Sequence, residues 1–173
     1  MKFLFLLAFL ILQLTFIATQ CDAQTAKEYI KSGNQLIAVY DFDGLDSLLN
    51  QKNDTTYVVN FWATWCIPCV QELPYFEQLL EKYGSEKMKL LLVSLDFRKK
   101  VDQSLIPFMA KKKLKSTVVL LDDKNANIWI NKVDSTWSGA LPATLILNKN
   151  QRLFFEKSFT FEELETEYLN SKK

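Results

Sequence analysis

The sequence predicts an α/β fold in which helices flank a mixed central sheet. Three nearly continuous apolar runs, at 57–62, 89–95 and 143–147, are typical of buried strands. Segments between these runs carry apolar residues at the 3.6-residue spacing of helices. The chain therefore alternates strands and helices before it ends in a hairpin and a last helix, an order that favours a sandwich around one sheet.

Three elements are predicted ahead of the longest helix. A short apolar run at 36–40 predicts a strand at the edge of the sheet. Residues 41–50 predict a helix, because their apolar members recur at helical spacing. The run at 57–62 is apolar almost throughout, which is expected of a central strand that is covered on both faces.

The longest predicted helix covers residues 66–83 and presents one apolar stripe. Pro74 lies inside it and removes a backbone donor, so we expect a kink there. Gly84 follows the last apolar residue and predicts the end of the helix.

Shorter elements make up the rest of the chain. We predict a buried strand at 89–95, a helix at 101–112, a short apolar segment at 118–121, a helical turn at 125–133, a strand at 143–147, a hairpin turn at 148–150, a pairing strand at 152–158 and a helix at 161–169. Thr160 precedes this last helix as a capping residue, and two glutamates occupy its first turn.

Composition excludes several classes of function. The chain has 173 residues and a formal net charge of +1, which argues against a nucleic-acid binder that neutralises phosphates. It contains no histidine, which excludes Cys-His and Ser-His catalytic pairs, histidine-containing zinc sites and haem held by histidine. Its three cysteines are too few for a disulfide-stapled mini-domain.

The N-terminus has the pattern of a secretory signal. One early lysine precedes an apolar run at 3–18, which is short for a membrane span of about 20 residues. We expect cleavage after Ala23, leaving a signal peptide at 1–23 and one domain at 24–173. Two alternatives stay open: Cys21 becomes a lipidated first residue, or the segment is retained as an anchor. All three place the domain outside the cytoplasm, in the periplasm or cell envelope.

Cys66 and Cys69 form a C-x-x-C pair where the strand at 57–62 passes into the longest helix. The unpaired N–H groups and the dipole of a helix N-terminus stabilise a thiolate, which is the nucleophile in disulfide exchange. Pro68 fits the first helical turn, where its missing donor costs nothing. A zinc half-site, a structural disulfide and two inert core cysteines are weaker interpretations. No second Cys or His pair completes a zinc site, and so short a disulfide loop stabilises little.

Residues 60–69 (NFWATWCIPC) and the following Glu72-Leu73-Pro74 resemble the active-site region of the thioredoxin superfamily, and most of all its exported TlpA/ResA-like branch. The resemblance extends from about residue 36 to the C-terminus and implies a thioredoxin-like three-layer sandwich. It implies that Cys66 attacks and Cys69 resolves, with no cofactor beyond this redox-active disulfide. It further implies that Leu141–Pro142 is a cis peptide bond, in a loop that binds an extended substrate by main-chain pairing.

The tryptophans divide into two pairs. Trp62 and Trp65 belong to the active-site stretch, and we expect Trp62 to pack beneath the site and Trp65 beside it. Trp129 and Trp137 are expected to be packing residues, with the alternative that Trp137 lines a partner groove.

Asn60 departs from the cytosolic thioredoxins, which carry a buried aspartate that helps the resolving cysteine lose its proton. A neutral amide cannot act as a base, so we expect Cys69 to be deprotonated through water or a carboxylate elsewhere. Glu72 is the nearest acidic residue in sequence, and we expect it to be a surface residue of the helix. Ile67 stands where strong oxidants often carry histidine, which favours a reductase.

The function predicted from these residues is the reduction of protein disulfides in the cell envelope. Its partners would be protein thiols and disulfides and an envelope electron donor, with no nucleic acid, no metal, and membrane contact only through the N-terminal segment if that segment is retained or lipidated. The alternatives are a redox-dependent interaction module and a disulfide-forming oxidase or isomerase. A copper carrier is disfavoured by the missing histidine, and a peroxidase by the paired cysteines.

Overall fold

A computed structural model describes residues 26–32, 35–50 and 53–173. The predicted signal peptide at 1–23, with Cys21, lies outside the described residues, so these predictions stay open. No helix in the described part of the chain is long and apolar enough to cross a membrane.

Seven strands of the described residues form one mixed sheet in the order β1-β2-β5-β4-β3-β6-β7. The strands are β1 (Glu28–Ser32), β2 (Gln35–Tyr40), β3 (Thr56–Trp62), β4 (Met88–Ser94), β5 (Thr117–Leu121), β6 (Ala143–Leu147) and β7 (Arg152–Phe155). Strands β2, β5, β4 and β3 run parallel to one another, and β1, β6 and β7 pair in antiparallel fashion. The mixed sheet expected from the sequence is therefore confirmed.

Helices cover both faces of this sheet and complete the three layers. They are α1 (Phe42–Leu49), α2 (Ile67–Tyr83), α3 (Leu105–Lys112), α4 (Ala126–Val133) and α5 (Phe161–Asn170). Strand β3 is buried along its whole length and alternates between the faces: Val58 and Trp62 pack with α2, α3 and α5, whereas Val59 and Phe61 pack with α1 and α4. A continuous apolar run at 57–62 is what such two-sided burial requires.

Two predicted elements differ from the structure. The strand predicted at 36–40 is not at the edge, because β1 pairs antiparallel with its outer side. The helix predicted at 101–112 begins only at Leu105, since a short 3₁₀ helix at Arg98–Lys100 and turns precede it. Both segments adopt the predicted type of secondary structure. Neighbouring segments alter the place of the strand in the sheet and the residue at which the helix begins.

Parallel pairing brings the ends of β3 and β4 to the same edge of the sheet. The amide of Leu95 donates to the carbonyl of Trp62 at 2.8 Å, so both strands end side by side. Strand β6 starts at this edge and runs in the opposite direction, with Ala143 opposite Phe61. The loop out of β3 and the loop into β6 therefore meet at one place.

Thr160 caps α5 through a capping box, in which its hydroxyl accepts from the Glu163 amide and its own amide donates to the Glu163 carboxylate. We expect Thr160→Ala to lower the free energy of unfolding by about 1 kcal/mol, because the backbone amide of Glu163 loses the hydroxyl that accepts its hydrogen bond. Chemical denaturation measures this change. Thr166→Ala is the matched control on the exposed side of the same helix and should be neutral or slightly stabilising; equal losses in both variants would contradict the capping role.

Candidate active site

The sulfur of Cys66 caps the first turn of α2. Cys66 has extended backbone angles (φ −86°, ψ 101°), and its Sγ accepts a hydrogen bond from the amide of Cys69 at 3.3 Å. Pro68 stands in the first turn as predicted, where no intrahelical partner is lost. The two cysteines form a disulfide, with their Cα atoms 5.3 Å apart. The helix start thus holds one sulfur in line with a backbone donor.

The two sulfurs differ in access to solvent. Cys66 retains 6% exposure, whereas Cys69 is fully buried. Around Cys66 the surface is apolar, because Trp65 is 58% and Ile67 is 72% exposed. A partner can therefore reach only the first sulfur without opening the core.

A groove of about 500 Å³ runs along the disulfide, and the loop before β6 forms its opposite wall. Its lining residues are Trp65, Cys66, Ile67, Pro68, Leu95, Gly139, Ala140 and Leu141. The Leu141–Pro142 peptide bond is cis, with Leu141 half-buried at the groove and Pro142 buried behind it. The structure thus brings the two separately predicted segments together.

The four tryptophans occupy the expected kinds of position. Trp62 is fully buried and packs against Phe108, at 5.4 Å between ring centroids, while Trp65 lies exposed beside Cys66. Trp137 is buried against Trp129, and its indole N–H donates to the carbonyl of Ala140 at 2.9 Å. The packing interpretation of Trp129 and Trp137 is therefore the one that the geometry supports.

Asp96 holds the loop that leads into α2. Its carboxylate accepts from the Thr64 amide at 3.1 Å, from the Thr64 hydroxyl at 2.5 Å and from the Ser94 hydroxyl at 2.8 Å. The role of Asp96 was not predicted from the sequence. The available signal was a polar pair, Ser94 and Asp96, directly after a buried strand. Asp96 therefore ties the end of β4 to the loop just before Cys66.

Glu72 corrects one expectation from the sequence. It was expected on the surface, yet it is 1% exposed. Asn60 donates to its Oε1 at 3.0 Å, and the amide of Phe159 donates to its Oε2 at 2.8 Å. Burial raises the pKa of Glu72 to about 7, although these two hydrogen bonds act in the opposite direction.

Asn60, Glu72 and Thr144 form a small polar network inside the core. Asn60 also donates to the hydroxyl of Thr144 at 3.2 Å, a contact set by the opposite register of β3 and β6. Glu72 lies three residues after Cys69, and both face the core side of α2. A carboxyl that can change protonation near neutral pH therefore lies on the same helix face as the buried sulfur.

Within residues 26–32, 35–50 and 53–173, no group of three or more acidic or cysteine side chains is placed to hold a metal ion.

Comparison with known proteins agrees with this geometry. The sequence model of the AhpC/TSA family matches residues 24–155. The chain is 27% identical over 130 residues to the thiol-disulfide oxidoreductase ResA of Bacillus cereus, covering 73% of this chain and 69% of the relative. It is 30% identical over 115 residues to the sporulation thiol-disulfide oxidoreductase A of Bacillus subtilis, covering 66% and 69%.

Solved structures show the same architecture. A thioredoxin-related protein from Neisseria meningitidis serogroup B superposes with a TM-score of 0.61 at 18% identity, over 72% of this chain and 90% of that one. StoA from Bacillus subtilis superposes with a TM-score of 0.52 at 23% identity, over 68% and 84%. The thioredoxin-like fold expected from the sequence is therefore confirmed.

The pKa of Glu72 predicts a specific pH dependence of stability. Because the folded state holds this proton more tightly than the unfolded chain, the stabilisation is complete below the ordinary carboxyl pKa. It is lost as pH rises through about 7. In the oxidised protein, Glu72→Gln should remove a fall of about 3 kcal/mol in unfolding free energy between pH 4.5 and 8.

Urea unfolding at several pH values measures this difference between wild type and variant. Glu81→Gln, an exposed change on the same helix, is the control and should leave the wild-type curve unchanged. Parallel curves for wild type and Glu72→Gln would show that Glu72 does not change protonation in this range.

Proposed function

We propose that this chain, which belongs to the AhpC/TSA family, reduces protein disulfides outside the cytoplasm by dithiol–disulfide exchange. It is a thiol-disulfide oxidoreductase of thioredoxin-like fold, as its relatives are. The observation that carries the proposal is the unequal pair of sulfurs, one reachable from a groove and one sealed in the core. This arrangement allows attack from outside and release from inside.

The exchange runs in two steps. In the reduced protein the thiolate of Cys66, stabilised by the Cys69 amide and the helix dipole, attacks one sulfur of the substrate disulfide. A mixed disulfide forms, and the other substrate sulfur leaves as a thiolate. Cys69 then attacks the Cys66 sulfur and expels the second substrate thiolate. Two electrons pass to the substrate, and the protein ends with the Cys66–Cys69 disulfide.

Cys69 must lose a proton before it attacks, and we assign that proton to Glu72. Asn60 is a neutral amide and cannot accept it, but it holds Glu72 through a hydrogen bond. A carboxyl whose pKa is about 7 can take up a proton at neutral pH, which suits a general base. Glu72 therefore replaces the buried aspartate of cytosolic thioredoxins from a different element.

The direction of electron transfer and the cellular location of the protein are inferred from the sequence. Ile67 between the cysteines gives the Cys66 thiolate no charged or hydrogen-bonding partner, which favours a reducing role over an oxidising one. The N-terminal pattern supports a signal peptide at 1–23 and one domain at 24–173, in the periplasm or cell envelope, with lipidation at Cys21 or a retained anchor as the alternatives. An electron donor in the envelope would return the disulfide to the dithiol form.

Turnover and capture test the paired-sulfur mechanism. Wild type should reduce insulin disulfides, and Cys66→Ser should lose all measurable turnover because the attacking sulfur is gone. Cys69→Ser should form a mixed disulfide that persists, because no second thiol releases the partner. Mass spectrometry of proteins captured by Cys69→Ser identifies the substrate.

Three outcomes would overturn parts of this proposal. An inactive wild type would favour the redox-dependent interaction module. A reduction potential of about −120 mV would favour a disulfide-forming oxidase. Capture of the same partners by Cys66→Ser and Cys69→Ser would contradict the assigned roles.

The proton assignment has its own test. Glu72→Gln should slow insulin reduction at pH 7 by roughly 100-fold, the lower end of what general base catalysis contributes. The loss should shrink toward pH 9, because the Cys69 thiol then ionises without help. Rates measured across pH 6–9 check this, with Glu81→Gln as control, and an unchanged profile would remove Glu72 from the mechanism.

A further inference from the structure

The groove wall opposite the disulfide is a short loop, residues 138–141, whose backbone is tied to one exposed carboxylate. Glu156 Oε2 accepts from the amide of Ser138 at 3.0 Å, and Oε1 accepts from the amide of Ala140 at 3.1 Å. The hydroxyl of Ser138 also donates to Oε1. Three donors of the loop therefore converge on one side chain.

The register of the sheet explains why Glu156 is at this place. Phe155 is the last residue of β7 and lies opposite Thr144 of β6. The next residue, Glu156, therefore falls beside Ala143, the first residue of β6, where the loop enters the sheet. Its side chain is exposed, and among the described residues no lysine or arginine pairs with it. Its partners are thus groups of the loop, not an ion pair.

The loop needs such an anchor because its own conformation is unusual. Gly139 has φ +92°, a region that L side chains rarely adopt, and glycine has wide conformational freedom. Glu156 holds the amides on either side of Gly139, and Trp137 holds the carbonyl of Ala140 at 2.9 Å. Both main-chain groups of Ala140 are therefore engaged within the protein.

Because both main-chain groups of Ala140 have partners, the contact with a substrate falls to the main chain of the next residue, Leu141. Leu141 lines the groove, while the neighbouring Ala140 already has partners for its N–H and its carbonyl. An extended peptide that pairs with this loop would therefore contact the main chain of Leu141 in the groove beside Cys66. Loss of the anchor would let the Gly139 hinge move this surface.

We propose that Glu156 is a positioning residue for protein substrates: it fixes the loop at 138–141 so that the main chain of Leu141 can pair with a peptide beside Cys66. This inference rests on the proposed function. Glu156 itself does not touch the substrate or the reacting sulfurs. Small disulfides, which need only the Cys66 thiolate, should not depend on it.

The test compares a protein substrate with a small one. Glu156→Gln replaces one acceptor oxygen with an amide donor that faces the loop donors, so it should release part of the loop. We expect the KM for insulin to rise about 10-fold, the scale expected for lost hydrogen bonds to a charged group, with little change in kcat. The rate of the reduced protein with the small disulfide DTNB should stay unchanged.

A matched control separates positioning from stability. Glu163 is also an exposed carboxylate that accepts from a backbone amide, at the start of α5. Glu163→Gln should lower stability without changing the KM for insulin. Hydrogen exchange of the Ser138 and Ala140 amides, followed by NMR, should be faster in Glu156→Gln and unchanged in Glu163→Gln.

Each outcome decides one question. An unchanged KM in Glu156→Gln, or equal losses with insulin and DTNB, would overturn the positioning role. Unchanged amide exchange would overturn the anchor itself. If wild type reduces neither insulin nor DTNB, the proposed function fails, while the exchange rates still decide whether Glu156 holds the loop.

Discussion

A sulfur at the start of α2 occupies the place where most helices put an oxygen. The first turn of a helix has amide hydrogens without partners, and side chains of serine, threonine or aspartate commonly satisfy them. Here Cys66 accepts from the third helical residue, which is Cys69. This hydrogen bond places a backbone donor against the Cys66 sulfur, and the disulfide joins that sulfur to Cys69 one turn further along. The groove beside Cys66, the loop at 138–141 and the carboxyl of Glu72 are arranged around this contact.

The burial of Glu72 lowers the stability of the folded protein. A carboxyl in the core is unfavourable when ionised, and the Asn60 and Phe159 donors offset part of that cost. The same donors join β3, α2 and the segment before α5 into one polar network. A residue chosen for stability alone would be apolar at this position. The network is thus a local conflict with good packing, of the kind expected where chemistry is carried out.

Local patterns predicted much of this molecule, and long-range partners account for what they missed. The strand around Asn60, the long helix and the Cys66–Cys69 pair follow from periodicity and spacing over a few residues. Burial of Glu72 depends on Phe159, which lies 87 positions away, and anchoring of the loop by Glu156 depends on strand register. Rules based on the spacing of nearby residues cannot predict partners that lie so far apart in the sequence. Asp96 was missed for the same reason, because its main contact, Thr64, is 32 positions away.

The absence of histidine gives the buried carboxyl an unusual share of the acid–base behaviour of the chain. Histidine is the side chain that ordinarily changes charge between pH 5 and 8, and this chain has none. Among the described residues, Glu72 is the carboxyl whose pKa is raised into that interval. Proton uptake by the oxidised domain around neutrality would therefore report largely on the interior, on the helix face that Glu72 shares with Cys69. A titration of the whole protein near neutral pH would therefore follow mainly the protonation of Glu72.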